Sequence, residues 1–411
     1  MTLSRSDRTQ LLKKIEDLVS MKFYDPAFGG KNWREIVASH RDAVLNADSD
    51  AAFEGAVVDT LSELHSSSLG ILGPETKITP RSSINASLRP VDTAQEGLRW
   101  VFQDVLPGGV AQCAGVHSGD ALISVSGIDI RPQQQIDFAM NRRIPVEISR
   151  GGERRETHID LTTQKGRYKA NPYSEPKSVS AELLNQAMGT VKVSLFPGLL
   201  GIDFANEVSR LFAQTLRGSN RLVIDLRGNP GGGIGGLRLM SYLTPKRQPI
   251  GYSLDRMTAE RGCRRESLPR LDHIPRSKFE IPLLALKFFG KTSVALETEG
   301  LGTQTYHGRI VVLVNEHSTG AAEMLTQFAQ ENELATVVGA KTPGRLVSRS
   351  AFKIGHGYRI VIPVAAYVSW QGNRIEGKGV TPDIPVDWSY EDALNGFDNQ
   401  LDRALQVARK L

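Results

Sequence analysis

The sequence predicts an α/β protein with a helical start and a small strand-rich module ahead of its main core. Three observations predict it. Apolar residues first recur at helical spacing, short strands between glycine turns follow, and the C-terminal half alternates buried strands with helices. At 411 residues the chain exceeds one typical core, so two or three domains are expected. The expected blocks are a helical region at 1–75, a β module at 90–165 and an α/β core at 175–411. Residues 76–89 and 166–174 are expected to connect them.

In the first block Leu11, Leu12, Ile15, Leu18, Val19 and Phe23 share one helical face, with Ser6 or Asp7 as candidate caps. Further helices are expected from about Trp33 to Asn46 and from about Ala51 to Leu64. The run Ser66-Ser67-Ser68-Leu69-Gly70 breaks the pattern, and a Pro-, Ser- and Thr-rich connector with short strands follows.

From Glu96 to Leu161 the chain reads as strand, glycine turn, short helix, Gly119-Asp120 turn and second strand. The strand Trp100-Val101-Phe102 leads it, and Cys113 falls in the short helix, where a small core residue is expected. This order and spacing resembles a bacterial PDZ domain. Such domains bind an extended peptide by adding it as a strand. The resemblance implies peptide contacts at Leu98, Trp100, Val101 and Phe102.

In the last block, Leu222–Leu226 and Ile310–Val314 are continuous apolar runs, as expected of strands covered on both faces. Helices are expected from Leu237 and Ala321. The turn Gly355-His356-Gly357 ahead of Arg359–Val364 predicts a hairpin.

Composition narrows the function classes. Fifty Lys and Arg against 45 Asp and Glu give a charge of +5, too mild for a nucleic-acid footprint. The basic cluster Arg261–Arg270 reads as a solvated loop. No apolar run reaches membrane-spanning length and no signal-peptide core opens the chain, so a cytoplasmic protein without a membrane partner is expected. The two cysteines, Cys113 and Cys263, match no metal-ligand spacing. Gly231-Gly232-Gly233 lacks the Lys-Ser/Thr of a phosphate loop. No cofactor and no metal are expected, and the sequence is silent on oligomeric state.

Three motifs carry the chemistry. They are Asp225-Leu226-Arg227-Gly228-Asn229-Pro230-Gly231-Gly232, Asn315-Glu316-His317-Ser318-Thr319-Gly320-Ala321-Ala322-Glu323, and Glu376-Gly377-Lys378-Gly379-Val380-Thr381-Pro382-Asp383. In this order, and with the PDZ-like module, the chain resembles the S41 peptidases, the C-terminal processing or tail-specific peptidases and their tricorn-like relatives. The resemblance implies a ClpP/crotonase-like spiral ββα core, action on peptides or protein C-termini, and an oxyanion hole from the backbone of Gly231, Gly232 and Ala321. Backbone donors placed where charge develops stabilise it without rearranging.

The same resemblance places the nucleophile at Gly320, which has no side chain. It places the base at Ser68, whereas the lysine of the family's Ser–Lys branch falls at Arg345, which stays protonated. Glu376 keeps its orienting position. The sequence therefore leaves two readings: a peptidase-fold protein that binds peptide ends with little or no cleavage, or an active peptidase with a relocated nucleophile such as Ser318.

Overall fold

The hydroxyl of Ser4 accepts the Asp7 N–H while the Asp7 carboxylate accepts the Ser4 N–H. This capping box starts the first helix, Arg5–Lys22, so the cap lies at Ser4 rather than at Ser6 or Asp7. The computed structural model describes residues 3–74, 84–134, 136, 138, 142–162, 177–275 and 277–411. Most of the connectors expected at 76–89 and 166–174 falls outside them.

The chain divides into two compact units. The first joins Met1–Lys77, Lys246–Leu301 and Pro343–Val380; the second joins Ile78–Pro245, Gly302–Thr342 and Thr381–Leu411. Each combines stretches that the sequence blocks 1–75, 90–165 and 175–411 assign separately.

In the first unit the helices Arg5–Lys22, Trp33–Leu45 and Asp50–Ser62 bury one apolar face together. Leu11, Ile15, Val19, Phe53 and Leu61 pack there with Ile354, Tyr358, Ile360 and Ile362 from a sheet. That sheet is built on the hairpin Val347–Gly355 and Tyr358–Ser369, as the Gly355-His356-Gly357 turn predicts. Strands Pro249–Asp255 and Gly70–Leu72 pair with Tyr358–Ser369, both antiparallel. Within the expected basic loop, the Arg265 guanidinium stacks over the Trp370 ring and Arg270 begins a two-residue strand.

The second unit holds a six-stranded, mostly parallel sheet. Strand Arg221–Asp225 is central and pairs in parallel with Met188–Val193 and Arg309–Val314. Thr336–Gly339 and Ile384–Pro385 extend the sheet on one side, and Val179–Asn185 closes the other, antiparallel. The helix Asn399–Lys410 packs Ala404, Val407 and Ala408 over Val223, Val311, Leu313 and Val338. The two apolar runs are thus the innermost strands, covered on both faces as their composition requires.

The same unit contains a five-strand path, Ala86–Thr93, Gly97–Val105, Ala121–Val125, Arg143–Arg150 and Glu153–Asp160. Phe102, Leu122, Ile144, Ile148 and Ile159 form its core. The mixed α/β architecture, with its helical start and several sheets, is the fold class the sequence predicts. Cys113 is a correction: the helix Val110–Cys113 is one turn long and buries Ala111, which leaves Cys113 on the outward face.

Candidate functional site

The strand Arg221–Asp225 ends in a buried ion network that fixes the start of the first glycine turn. Arg227 donates to both oxygens of Asp225 and makes a two-pronged contact with Asp398. Lys192 adds a second cation 3.0 Å from Asp225. Burial works to raise the Asp225 pKa, but the charges of Arg227 and Lys192 overcome it and hold the carboxylate well below its usual range. The chain leaves this network with its direction set.

Two asparagines then build the turns. Asn229 donates through Nδ2 to the Val193 carbonyl, and its Oδ1 accepts the Gly231 N–H at 2.8 Å. Its backbone carbonyl accepts the Thr319 N–H. Asn315 Oδ1 accepts the Gly228 and His317 N–H groups. The first turn therefore packs directly on the second. A Cβ at Gly231 would lie 2.8 Å from the Thr319 carbonyl oxygen and 3.1 Å from the Ala321 nitrogen. Only glycine allows that approach.

The second turn carries the position implied for the nucleophile. Gly320 has φ 61° and ψ −119°, a conformation sparsely populated for residues with a side chain. A sharp strand-to-helix elbow of this kind presents a nucleophile in hydrolases. Here the elbow is complete in its backbone and carries no side chain at its apex. Helix Ala321–Glu331 starts directly after it, and Glu323 Oε2 accepts the Gly320 N–H at 3.0 Å. Glu323 Oε1 accepts the Thr342 hydroxyl, so this buried carboxylate is occupied by the elbow's own structure.

Ser318 is fully buried. Its hydroxyl accepts the Asn315 N–H at 3.0 Å and donates to the Leu226 carbonyl at 2.9 Å. Both contacts hold the two turns together, and the oxygen faces no open space. That geometry speaks against Ser318 as a relocated nucleophile.

Of the implied oxyanion donors, Gly231 is a correction, because its N–H is taken by Asn229 Oδ1. Gly232 is exposed, and no hydrogen bond among the described residues uses its N–H or that of Ala321. These two groups remain as backbone donors beside the elbow.

The first unit holds the other two implied positions. Glu376 Oε1 accepts the Ser67 N–H at 2.9 Å and the Ser66 hydroxyl at 3.4 Å; Oε2 accepts the Leu346 N–H at 3.0 Å. The loop of the implied base is thus tied to the implied orienting carboxylate. Ser68 itself offers only a hydroxyl, 3.4 Å from that of Ser67. His65 lies against Lys31 Nζ at 3.2 Å, in a group with Glu63.

The peptide edge implied at Leu98, Trp100, Val101 and Phe102 is not free. Val101 pairs with Arg89 on one side and Ala121 on the other, and Trp100 with Pro90 and Leu122. Phe102 pairs with Leu88 and donates its N–H to the Asp120 carbonyl, and Leu98 pairs with Asp92. Strand Gly97–Val105 is internal, and Val101 and Phe102 are core residues. A peptide adds at a sheet edge, and the two ends of this strand path are Ala86–Thr93 and Glu153–Asp160, with the two-residue strand Ile128–Asp129 a further short edge.

Sequence reasoning missed Asp104. It accepts the Ser87 hydroxyl and, at 2.9–3.0 Å, the side-chain amide of Asn315. Arg89 reaches the same turn through Glu316 at 3.1 Å and stacks over Trp388. No motif marks these residues, since the partners they find in the second turn lie more than 200 positions away in the chain.

The sequence profile of Peptidase family S41 matches residues 187–386, which include both turns and Glu376. The chain carries a peptidase family S41 domain. It is 22% identical over 423 residues to a carboxyl-terminal-processing protease of Synechocystis sp., covering 98% of this chain and 88% of the relative. It is 24% identical over 395 residues to the chloroplastic carboxyl-terminal-processing peptidase 2 of Arabidopsis thaliana, covering 92% and 69%.

Two solved structures share the fold. The photosystem II D1 C-terminal processing protease matches with a TM-score of 0.57 at 17% identity, over 92% of this chain and 93% of that one. Mature CPAF matches with a TM-score of 0.54 at 14% identity, over 98% and 96%. Among the described residues, no group of three or more His, Cys, Asp or Glu side chains could hold a metal. No helix among them is long and apolar enough to cross a membrane.

Proposed function

We propose that this S41 chain is a peptide- and C-terminus-binding protein in which cleavage is lost or residual. One observation carries the reading: the elbow keeps a positive-φ turn at Gly320 and has no nucleophile there. The base position is likewise a serine, Ser68, and the hydroxyl nearest the elbow in sequence after Thr319, that of Ser318, is consumed by the turns. A site without its catalytic side chains keeps about 10³–10⁴-fold acceleration over water from binding and oxyanion donors. Full enzymes typically reach at least about 10⁶-fold. The ligand class follows from the relatives, which are C-terminal processing proteases. The strand-rich module is read as PDZ-like, with peptide addition at a free edge rather than at Trp100–Phe102.

The test incubates the protein with a diverse peptide pool and follows products by mass spectrometry, with calorimetric titration of C-terminal peptides alongside. Saturable binding without new termini is the expected result. Robust cleavage by the unaltered chain would overturn it. Gly320→Ser combined with Ser68→His is expected to restore turnover to some of the peptides that bind.

A further inference from the structure

We propose that the segment Phe279–Lys291 of the first unit is a docking element for an anionic lipid surface. Phe279 is 95% exposed, Leu283 72%, Leu286 75% and Phe289 84%. Among the described residues only Leu199 shows comparable exposure for a large apolar side chain. Four such residues within eleven positions are not the scattered apolar exposure of an ordinary surface.

Their spacing explains the cluster. Helix Ile281–Lys287 carries Pro282 in its first turn, where a missing N–H is harmless. Leu283 and Leu286 lie three residues apart on one face of this helix, with Phe279 in the 3-10 turn just before it and Phe289 in the turn just after it, so the four exposed side chains follow one another along a single short segment. Leu284 points the other way and is buried, which anchors the helix on the unit. The segment thus projects these side chains outward with its inner face already satisfied.

Charge selects the occupant. From Ser277 to Lys291 the sequence holds three lysines, at 278, 287 and 291, against one acid, Glu280. Lys287 Nζ lies over the Phe288 ring and 3.8 Å from Asp272, which Arg247 already engages at 2.8 Å. Basic residues bordering an aromatic and aliphatic patch match an interfacial helix, whose apolar face enters the headgroup boundary while the cations meet anionic lipid. A second copy fits less well. A two-fold contact would set this patch on itself, lysine against lysine. The contact is peripheral, because the segment is far too short to span a bilayer.

The full-length protein is mixed with phosphatidylcholine vesicles and with vesicles of phosphatidylcholine plus phosphatidylglycerol, then sedimented. Binding is expected to the mixed vesicles and to fall about tenfold or more in Lys287→Glu with Lys291→Glu, and on raising the salt. Leu283→Ser with Phe289→Ser is expected to abolish it; both residues are exposed, so folding checked by circular dichroism should be unchanged. Phe279→Trp reports the site directly: its emission, taken as the difference from the unaltered protein, should shift to the blue on the mixed vesicles. Failure to sediment, equal binding to neutral vesicles, or no such shift in Phe279→Trp would overturn the proposal. So would a dimer in sedimentation equilibrium that the Leu283→Ser, Phe289→Ser protein loses, since the patch would then belong to a second copy.

Discussion

At Gly232 the backbone is hemmed in: a Cβ there would collide with the Phe196 carbonyl, and φ is +136°. At Ser68 the chain lies in a partly exposed loop, tied down mainly through its neighbours Ser66 and Ser67 to one carboxylate, Glu376. Both regions are implied by resemblance to serve one reaction, yet physics constrains them differently. The glycine turns and elbow of the second unit are packed backbone to backbone against Phe196 and against each other, so they persist whether or not a nucleophile is present. The loop of the first unit is free to change its side chains at small cost. A scaffold can therefore outlast its chemistry, because the backbone geometry is held by packing and the reactive groups are not.

Gly232→Ala tests the tighter region most severely. The added methyl must move the Phe196 backbone and adopt a φ that L residues avoid, so a loss of about 4 kcal/mol or more is expected in denaturant unfolding. A loss under about 1 kcal/mol would mean the turn is pliable and the contrast with Ser68 is wrong.

Arg227→Met comes next, at about 3 kcal/mol, since it leaves Asp225 buried with only Lys192 as a cation. The pH dependence gives an independent readout. The Asp225 carboxylate titrates well below its unfolded value of about 3.9, so its stabilisation is complete above about pH 4. It is lost as pH falls below that, through the folded-state value. In Arg227→Met the folded and unfolded values draw together, and the acid-side loss of stability should shrink. An unchanged acid limb would place the dependence elsewhere.

Ser318→Ala sharpens the comparison at the elbow. It strands the Asn315 N–H and leaves the Leu226 carbonyl short of a partner, for an expected cost of about 1–3 kcal/mol. The peptide-binding isotherm should keep its stoichiometry. Any cleavage by the unaltered protein that vanishes in this variant, with stability preserved, would restore Ser318 as a nucleophile.

The glycine turns, the two buried strands and the hairpin after Gly355 were legible in the sequence, because each rests on local periodicity or on residues that only one conformation suits. Others were not, and besides Asp104 and the Ser4 cap three of them are instructive. The apolar run Trp100-Val101-Phe102 identifies a strand but not whether both its edges are paired, which depends on Arg89 and Ala121 from other strands. The glycines of Gly231-Gly232 look equivalent in sequence, yet Asn229 captures one N–H and leaves the other. Cys113 lies in an apolar stretch, but a four-residue helix buries only one of its sides. Each miss concerns a partner distant in sequence or a choice between adjacent residues, which composition does not encode.

Glu376→Gln is the smallest change and probes the looser region. Both carboxylate oxygens accept backbone N–H groups, from Ser67 and Leu346. The glutamine amide keeps one acceptor oxygen, so one of these bonds is lost, and the remaining one loses its charge assistance. Because the loop is partly exposed, water replaces the missing partner, and about 1 kcal/mol or less of stability should be lost. The informative readout is local: hydrogen exchange at the Ser67 or Leu346 amide should quicken while the unfolding midpoint hardly moves. Unaltered exchange at both amides would show that the carboxylate does not anchor the loop, and a large drop in the midpoint would show that this loop is as integral to its unit as the glycine turns are to theirs.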